Sequence, residues 1–480
     1  MLNITSKLKI LFFLIIFFGL FLRLGLVNSE DLWFDEILTF SISSNEISIY
    51  ESFSLSNFLD NTPFLNILIF KIFFNIFGYN LIYAKIFLVF LSFTSVITTS
   101  YISYLISKNS SFIIVSFLTS FNIFLISFSS EFRVFTIFYL ISSLSIIFFL
   151  RAIQNNTYKS NFYFLFFTIF NTLLHPFSFI ILFSFIVFLI LNYKKNFFFK
   201  KKIINSLAII LSIYLIYYFF YLKNIYLNNN IDSFGPNWIT SPTKDFYYHY
   251  FFSNFFGSRI MGVLFIVLFI FLIYKNFNKK NIINAYTFLI ILTILSYVIP
   301  LLYGQLFKHI LIPRYIIFVL IPIIIIISNY LLELKHSNLK KTLIFIVIVS
   351  TLVNLFNEDL IKKVYDRNYF DKPQFSKAIN IIGNSDHVEY LIKFNFNENK
   401  NKEEYIIRVY SLYLDYLGKK QKLKINNIDQ SFIKKKGSKF WIICDFDINR
   451  EGCEINFNSN INILKNINLH KLNLKLVEFI

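Results

Sequence analysis

Long apolar runs alternate with short polar segments over the first 357 residues, after which the chain becomes more polar. A helix needs about 20 apolar residues to cross a hydrocarbon core of about 30 Å. Runs of that kind lie at 8–27, 80–106, 111–128, 133–150, 203–222, 259–274, 282–302, 312–332 and 341–357, and 161–193 has room for two spans. The pattern predicts a polytopic α-helical membrane protein with about 11 transmembrane helices, within a range of about 10 to 13.

The segment 62–78 (TPFLNILIFKIFFNIFG) is apolar but short, and it carries Lys71 and Asn75. Cytoplasmic loops are enriched in Lys and Arg, so the positions of the Lys clusters decide whether this segment crosses the membrane. If the N-terminus is cytoplasmic, three Lys-rich turns face the cytoplasm only when 62–78 does not cross; these turns lie around 194–202, 275–280 and 335–341. The sequence therefore predicts an interfacial helix on the outer surface.

Several polar segments share the outer side of the membrane in this orientation. They are the loops 28–62 and 223–258, the turns 128–133 and 303–314, and all residues after Asn357. Function is therefore expected on the outer face, with the N-terminus in the cytoplasm.

The residues after Asn357 have ordinary polarity. Alternating runs at 405–413 and 440–446 predict strands, and 373–382 has a helical pattern. The predicted domains are a transmembrane catalytic domain, 1–357, whose first outer loop is 28–79 with interfacial helices, and a small extracytoplasmic α/β domain, 358–480.

Composition supports a membrane protein and excludes a soluble enzyme, since hydrophobic residues make up 56% of the 480 residues and the mean hydropathy is +0.60. The 66 Phe and 30 Tyr residues are typical of an AT-rich genome and are not by themselves evidence of function. The net charge of +19 does not predict a nucleic-acid partner, because the Lys clusters interrupt apolar spans. Their expected partner is the anionic inner leaflet. Residues 7–27 are predicted to be an uncleaved signal anchor.

Two adjacent carboxylates, Asp35 and Glu36, follow the first span in the sequence LWFDE. Carboxylates at a membrane surface avoid lipid, so they are expected to face water, a cation or a functional site. The alternative is a helix N-terminus in which Asp35 is the N-cap and Glu36 lies in the first turn. Transfer of a group from a phosphate to a hydroxyl needs a carboxylate that accepts a proton and cations that hold the phosphate charge. On that chemistry Asp35 and Glu36 are the predicted catalytic residues.

The turns on the same side supply the cations. Arg314 lies about one turn inside its predicted span with no acid nearby in the sequence, which makes it the first candidate for a phosphate contact. Arg133 either binds phosphate or pairs with Glu131, and Lys308 lies in the turn before Arg314. Snorkelling towards the membrane surface is the alternative for both arginines.

Lys85 and Arg23 lie near the outer ends of the second and first spans. Either side chain could bind the acidic pair or a phosphate, and snorkelling is the favoured alternative for both. The predicted phosphate-binding residues are therefore Arg314, Arg133, Lys308 and Lys85.

Three residues are candidates for sugar or acceptor binding. His175 precedes Pro176 at a turn, where a lone histidine is more often a hydrogen-bonded turn residue than a base. Trp238 and His249 lie in the aromatic loop 223–258, where stacking on a sugar competes with an interfacial aromatic belt as the explanation.

Neither a metal nor a cofactor is predicted. No His, Cys and carboxylate spacing is typical of a zinc or two-metal site. The chain also lacks a Gly-rich phosphate loop and a nucleotide-sugar Asp-x-Asp in the outer loop, so a nucleotide-sugar donor is not expected. The only two cysteines, Cys444 and Cys453, both lie in the predicted outer domain and flank the loop of a predicted strand pair. In an oxidising compartment they could form a disulfide; two unrelated thiols are the alternative.

The ordered set of motifs resembles the GT-C membrane glycosyltransferases, in particular bacterial relatives of the protein mannosyltransferases and of the transferase that adds aminoarabinose to lipid A. The resemblance covers roughly residues 15–385. Its motifs are LRLGLV, LWFDE, TPFLNILIFKIFFNIFG, YAKIFLVFLS, SSEFRVF, LLHPF, IPRYIIFVLIP and DKPQFSKAINII. The chain departs from the family at Thr62 and Phe64, which replace a usual His and Pro, and at Lys85, which replaces a usual Arg.

This resemblance implies a polyprenyl-phosphate-linked sugar donor, membrane lipids as partners and transfer on the outer face to an unidentified acceptor. It also implies that Asp35 is the catalytic carboxylate, that Glu36 accompanies it, and that Arg133 and Arg314 contact the donor. The sequence hypothesis is therefore an inverting hexosyl- or pentosyltransferase. A lipid-linked glycan flippase or transporter, and an O-antigen ligase or polymerase, are the alternatives.

Overall fold

The computed structural model describes residues 6–27, 31–56, 63–107, 110–192, 197–229, 246–247, 249–277, 285–307, 309–357, 374–384, 389–392, 408–409, 411–418, 424–427, 437, 439–445, 461–470 and 472–480. The chain divides into two compact units. The helical unit comprises residues 1–26 and 85–364, and the loop–sheet unit comprises residues 27–84 and 365–480. The first outer loop thus clusters with the C-terminal residues.

The helical unit contains helices of 5 to 33 residues, including the long apolar ones. They are α1 (Ser6–Gly25), α5 (Leu81–Ser107, whose first four residues belong to the loop–sheet unit), α6 (Ser111–Phe121), α7 (Ile123–Ser127), α8 (Phe135–Asn155), α9 (Tyr158–Leu174), α10 (Ser178–Leu191), α11 (Phe197–Asn229), α12 (Arg259–Phe277), α13 (Ala285–Leu306), α14 (Leu320–Glu333) and α15 (Ser337–Asn357). A 3₁₀ helix, Pro313–Val319, leads into α14.

The predicted polytopic α-helical fold is confirmed. Within the described part of the chain, seven helices are long and apolar enough to cross a membrane, or eight if the sharply bent pair Tyr250–Phe256 and Arg259–Tyr274 is one span. The count of about 11 is not confirmed, because several predicted spans form helices that are shorter than the membrane requires. Among them, α6 and α10 have 11 and 14 residues.

The predicted span 111–128 is broken at Asn122 rather than continuous. The Asn122 backbone is extended (ψ 119°), and its side-chain oxygen accepts a hydrogen bond from the Leu125 N–H at 3.0 Å, so Asn122 caps the N-terminus of α7. Its amide also donates to the Phe255 carbonyl at 2.9 Å. The Asn122 side chain thus pairs with one backbone N–H of α7 and with one backbone carbonyl from another segment, and these bonds stabilise the helix break inside an apolar run.

Helices α8 and α14 form the core of the helical unit. Each is buried over most of its length, and Ile323–Ile327 in α14 are completely buried. By contrast, α1, α11 and α15 expose most of their apolar residues, as expected for helices that face lipid.

Arg23 joins α1 to α6 inside the helical unit. Its guanidinium is buried, and it donates to the carbonyls of Gly19, Ser120 and Thr119 at 2.9, 2.7 and 3.0 Å and to the Ser92 hydroxyl at 2.9 Å. The Thr119 and Ser120 carbonyls belong to the last turn of α6, whose backbone acceptors have no partner within the helix. The predicted snorkelling of Arg23 is therefore wrong, since the side chain caps α6.

We expect Arg23→Leu to destabilise the protein by on the order of 3 kcal/mol, because it leaves these buried carbonyls unsatisfied. The thermal unfolding midpoint of the purified protein in detergent should fall by several degrees. Arg23→Lys keeps the charge but has fewer donors, so its unfolding midpoint should lie between those of Arg23→Leu and the wild type. Lys9→Leu changes an exposed residue of α1 and is the matched control; an equal fall in both variants would contradict the capping role.

The loop–sheet unit combines short helices with a five-stranded sheet. Its elements are α2 (Phe34–Ile42), α3 (Ile49–Leu55), α4 (Leu65–Phe77), α16 (Phe375–Gly383), β1 (Glu389–Ile392), β2 (Lys424–Asn427), β3 (Lys439–Asp445), β4 (Ile461–Leu469) and β5 (Leu472–Phe479). The strand order is β2-β1-β3-β5-β4, in which β1 is parallel to β2 and β3, and β5 is antiparallel to β3 and β4.

The predicted α/β character of the C-terminal residues is confirmed, with one wrong element. The predicted helix at 373–382 and strand at 440–446 correspond to α16 and β3. The predicted strand at 405–413 is wrong where the structure describes it, since 408–409 and 411–416 are helical. The buried side chains Val409, Tyr413 and Leu414 lie at helical spacing, and the same run of alternating apolar residues fits both periods.

Helix α4 corresponds to the predicted interfacial segment 62–78. Its 13 residues span about 20 Å at 1.5 Å per residue, less than the hydrocarbon thickness. The left-handed φ of +85° at Gly78 ends the helix. The length therefore agrees with a helix that does not cross the membrane.

The predicted disulfide lies partly outside the described residues. The backbone of Cys444 pairs with Asn473 in the β3–β5 ladder, whereas Cys453 lies outside the described part of the chain. The disulfide stays a prediction.

Candidate functional site

Asp35 and Glu36 lie in the first turn of α2, in the loop–sheet unit. Trp33 is the N-cap residue, and the Glu36 carboxylate accepts a hydrogen bond from its backbone N–H at 2.9 Å. Glu36 is completely buried, whereas Asp35 is half-buried. The structure thus gives the capping bond to Glu36, not to Asp35.

The C-terminal end of α2 is held by α4. The buried Lys71 ammonium donates to the Ser44 and Ile47 carbonyls at 2.6 and 2.5 Å, just after α2 ends. The Asn45 amide donates to the Phe74 carbonyl at 3.3 Å. A cation at a helix C-terminus satisfies free carbonyls and interacts favourably with the helix dipole. Lys71, which is unfavourable in a membrane span, therefore has a structural role in the loop.

Tyr79 supports the middle of α2. Its ring stacks on Phe40 at 4.4 Å between centroids, and its hydroxyl donates to the Phe40 carbonyl at 3.0 Å. Burial, followed by the neighbouring Tyr416, raises the pKa of Tyr79 above its ordinary value, so the hydroxyl stays protonated as a donor.

Three predicted site residues come together in the helical unit, in what we call the basic–aromatic cluster: Arg133, His175 and Arg314 with the rings of Phe135, Phe138 and Tyr315. Arg133 precedes α8, His175 lies in the turn between α9 and α10, and Arg314 opens the 3₁₀ helix. Both guanidiniums are near enough to repel a proton on His175. Arg314 contacts two of the rings that surround His175, and Arg133 is near enough to lower the pKa of the same imidazole.

His175 is held by its own turn and by rings. Its Nδ1 accepts the Phe177 N–H at 3.2 Å, and its ring stacks on Phe138 at 4.8 Å and lies 5.3 Å from Tyr315. An accepting Nδ1 leaves the proton of the neutral imidazole on Nε2. Burial, then Arg133 and Arg314, lower the pKa of His175 well below its ordinary value. His175 is therefore a neutral hydrogen-bond donor, not a base that titrates near neutral pH.

Arg314 lies where the backbone changes from an extended conformation to a 3₁₀ helix. Ile312 is extended, and Pro313 begins the 3₁₀ helix, which suits its fixed φ. The Arg314 guanidinium lies 5.5 Å from the Phe135 ring centroid and 6.0 Å from that of Tyr315. Both rings thus help to hold the guanidinium in place.

Of the remaining predicted site residues, the structure describes Lys85 fully and His249 in part. Lys85 is buried near the start of α5. Lys308 and Trp238 lie outside the described residues, and only the backbone of His249 is described, in the short helix His249–Ser253. Across the described ranges no group of three or more His, Cys, Asp or Glu residues is placed to hold a metal.

Sequence reasoning missed the aromatic members of the cluster. Phe135, Phe138 and Tyr315 surround His175. With 66 Phe and 30 Tyr in the chain, their residue type carried no signal. The usable signal was proximity in the sequence, since Phe135 follows Arg133 and Tyr315 follows Arg314.

Comparison with known proteins finds similarity at the level of structure. No family model matches the chain, and no curated protein matches it. Its structure is similar to that of ArnT from Cupriavidus metallidurans in the apo state (TM-score 0.63, 9% identity, covering 96% of this chain and 97% of ArnT). It is also similar to ArnT bound to undecaprenyl phosphate (0.58, 11%, 98% and 98%). A third similar structure is the Archaeoglobus fulgidus oligosaccharyltransferase tethered to an acceptor peptide with the NVT sequon (0.51, 10%, 91% and 69%).

Proposed function

We propose that this chain, which has the GT-C fold shared by ArnT and the archaeal oligosaccharyltransferase, is a membrane glycosyltransferase. It transfers a sugar from a polyprenyl-phosphate-linked donor to a glycan, lipid or protein acceptor on the outer face of a bacterial inner membrane. The predicted transmembrane catalytic domain, 1–357, and extracytoplasmic domain, 358–480, are part of this proposal.

The observation that carries the proposal is the basic–aromatic cluster. Two guanidiniums and a neutral imidazole donor converge from three separate turns of the helical unit. Planar guanidinium groups bind phosphate through paired hydrogen bonds, and a neutral histidine adds a third donor. ArnT, whose fold this chain shares across nearly its whole length, binds undecaprenyl phosphate. A polyprenyl phosphate is the ligand that fits both facts.

The proposed reaction is an inverting displacement. Asp35 accepts the proton of the acceptor hydroxyl as its oxygen forms a bond to C1 of the sugar. The bond between C1 and the phosphate oxygen breaks, and its electron pair leaves with the lipid phosphate. Arg314 and Arg133 stabilise the charge on that phosphate, and His175 Nε2 donates to one of its oxygens. Each role follows from the chemistry of the group, and Glu36 contributes by fixing the first turn of α2.

Transfer of label from a polyprenyl-phosphate-linked radioactive sugar tests this function. We expect the purified protein in nanodiscs to release polyprenyl monophosphate, identified by mass spectrometry, when it is supplied with an envelope extract as acceptor. A heat-treated sample is the control. A parallel reaction supplies a polyprenyl-diphosphate-linked glycan; release of a lipid diphosphate from it, with no release from the monophosphate-linked donor, would support a ligase or polymerase. Movement of intact lipid-linked sugar across the bilayer of sealed proteoliposomes, without cleavage, would support a flippase. Either result would overturn the proposal.

A further inference from the structure

Phe40 anchors the middle of α2 in a group of aromatic rings. It is completely buried, and it lies five residues after Asp35, about 7.5 Å further along the helix axis. Because α2 has only nine residues, a displacement of Phe40 moves the whole helix, including its first turn.

The rings around Phe40 come from two distant parts of the chain. Tyr79 stacks on it and Phe74 meets its edge at 5.6 Å, and both belong to the same loop as α2. Tyr416 closes the enclosure, with its ring 4.7 Å from Phe40 in an edge arrangement and 5.5 Å from Tyr79. The helical residues 411–416 thus supply one wall of the pocket that holds Phe40.

The Tyr416 hydroxyl also contacts the start of α5. It accepts a hydrogen bond from the Leu81 N–H at 3.3 Å, whereas the Asn80 side chain accepts those of Ile82 and Tyr83 at 2.9 and 3.3 Å. The first N–H groups of a helix have no partner within it, so Tyr416 and Asn80 together cap α5. One side chain therefore contacts both α2, the helix that carries Asp35, and the first residue of α5.

A second contact joins the same segment to the loop. Arg408 donates to the Glu51 carboxylate of α3 through Nε at 2.8 Å and Nη2 at 2.6 Å. The Arg408 side chain is 52% exposed, so solvent weakens this ion pair. The buried contact at Phe40 is therefore the stronger of the two attachments.

We infer that Tyr416 is a positioning residue for Asp35: the C-terminal domain fixes the orientation of α2 by enclosing Phe40 with the Tyr416 ring. This inference rests on the proposed role of Asp35 in transfer. Removing the ring lets α2 shift, and a shift of about 1 Å at a reacting group can lower the rate as much as 100-fold. The donor phosphate contacts proposed in the helical unit stay unchanged.

The test compares Tyr416→Ala, Tyr416→Phe and Tyr50→Ala in the full-length protein. We expect Tyr416→Ala to lower kcat at least about 10-fold while KM for the donor changes less than about 2-fold. Tyr416→Phe keeps the ring and should restore kcat to within about 3-fold of the wild type. Tyr50→Ala is the matched control, because Tyr50 is 84% exposed on α3 of the same unit.

Hydrogen exchange of the α2 amides gives a readout that does not depend on activity. Exchange over Phe34–Ile42 should be faster in Tyr416→Ala than in the wild type, and unchanged in Tyr416→Phe and Tyr50→Ala. Unchanged α2 exchange in Tyr416→Ala would overturn the positioning role even if kcat falls, and so would a loss that appears only as a higher KM. If Tyr416→Ala does not stay monodisperse, Tyr416→Leu is judged by the same criteria.

The exchange result also separates this inference from the proposed function. A wild-type protein that transfers no sugar removes the proposed function, and the α2 exchange of the variants then decides alone whether Tyr416 fixes α2. Wild-type transfer together with unchanged exchange and kcat in Tyr416→Ala removes only the positioning role.

Discussion

Asp35→Asn is expected to abolish sugar transfer, lowering kcat by about 1,000-fold or more, since a positioned general base contributes about 100-fold to 10,000-fold. Asparagine has nearly the same shape but cannot accept a proton. KM for the donor should stay within about 2-fold of the wild-type value, because the proposed phosphate contacts lie on other residues. The measurement is the initial rate of release of polyprenyl phosphate at several donor concentrations.

Two further variants test whether a loss of activity in Asp35→Asn is specific to the Asp35 carboxylate. Glu36→Gln keeps an oxygen that can accept the Trp33 N–H, so it should retain most activity if Glu36 acts by capping α2. Glu46→Gln removes an exposed carboxylate from the same loop and should be within about 2-fold of the wild type. Wild-type rates in Asp35→Asn would remove the proposed mechanism. Equal losses in Asp35→Asn and Glu46→Gln would indicate a charge effect of the whole loop.

Arg314→Gln is expected to lower kcat/KM by about 100-fold to 1,000-fold, the usual effect of removing one group that stabilises developing charge. Arg314→Lys keeps a point charge without the paired donors of the guanidinium and should recover part of that loss. If Arg133 and Arg314 hold the same phosphate, the double substitution should cost less than the product of the two single effects. Steady-state kinetics with the labelled donor compare the wild type, Arg314→Gln, Arg314→Lys, Arg133→Gln and the Arg133→Gln/Arg314→Gln double variant.

Arg151 is the control residue for Arg314, because its guanidinium also contacts aromatic rings. Arg151 lies at the other end of α8, about 24 Å along the helix from Phe135, where it donates to the Tyr101 hydroxyl at 2.6 Å. Arg151→Gln should leave kcat/KM within about 2-fold, even if it lowers the unfolding midpoint. A loss in Arg151→Gln as large as that in Arg314→Gln would show that neither effect concerns phosphate.

The sequence was sufficient to locate the long apolar helices, but not to count the spans, because helix formation in lipid depends on local properties. In lipid every backbone N–H and C=O must find a partner within the segment, so a long apolar run is a helix whatever its neighbours are. The turn at His175 and Pro176, the helix 62–78 and the strand at 440–446 followed from hydropathy and period in the same way. The pattern failed at Asn122, where one polar side chain breaks a span, and at 408–416, where the alternation fits two periods.

For the candidate site residues, too, the sequence identified the residue types but not their contacts. The residue types and their order identified Asp35, Arg133, His175 and Arg314 as candidates. That Arg133, His175 and Arg314 converge, whereas Arg23 caps α6, depends on how helices from distant parts of the chain pack, and hydropathy contains no information about which helices are neighbours. The contact of Tyr416 with Phe40 and Leu81 joins residues more than 300 positions apart. Sequence thus determined the long apolar helices, α16 and β3, because their patterns are local, and only tertiary packing decided the conformation of 408–416 and which side chains share a site.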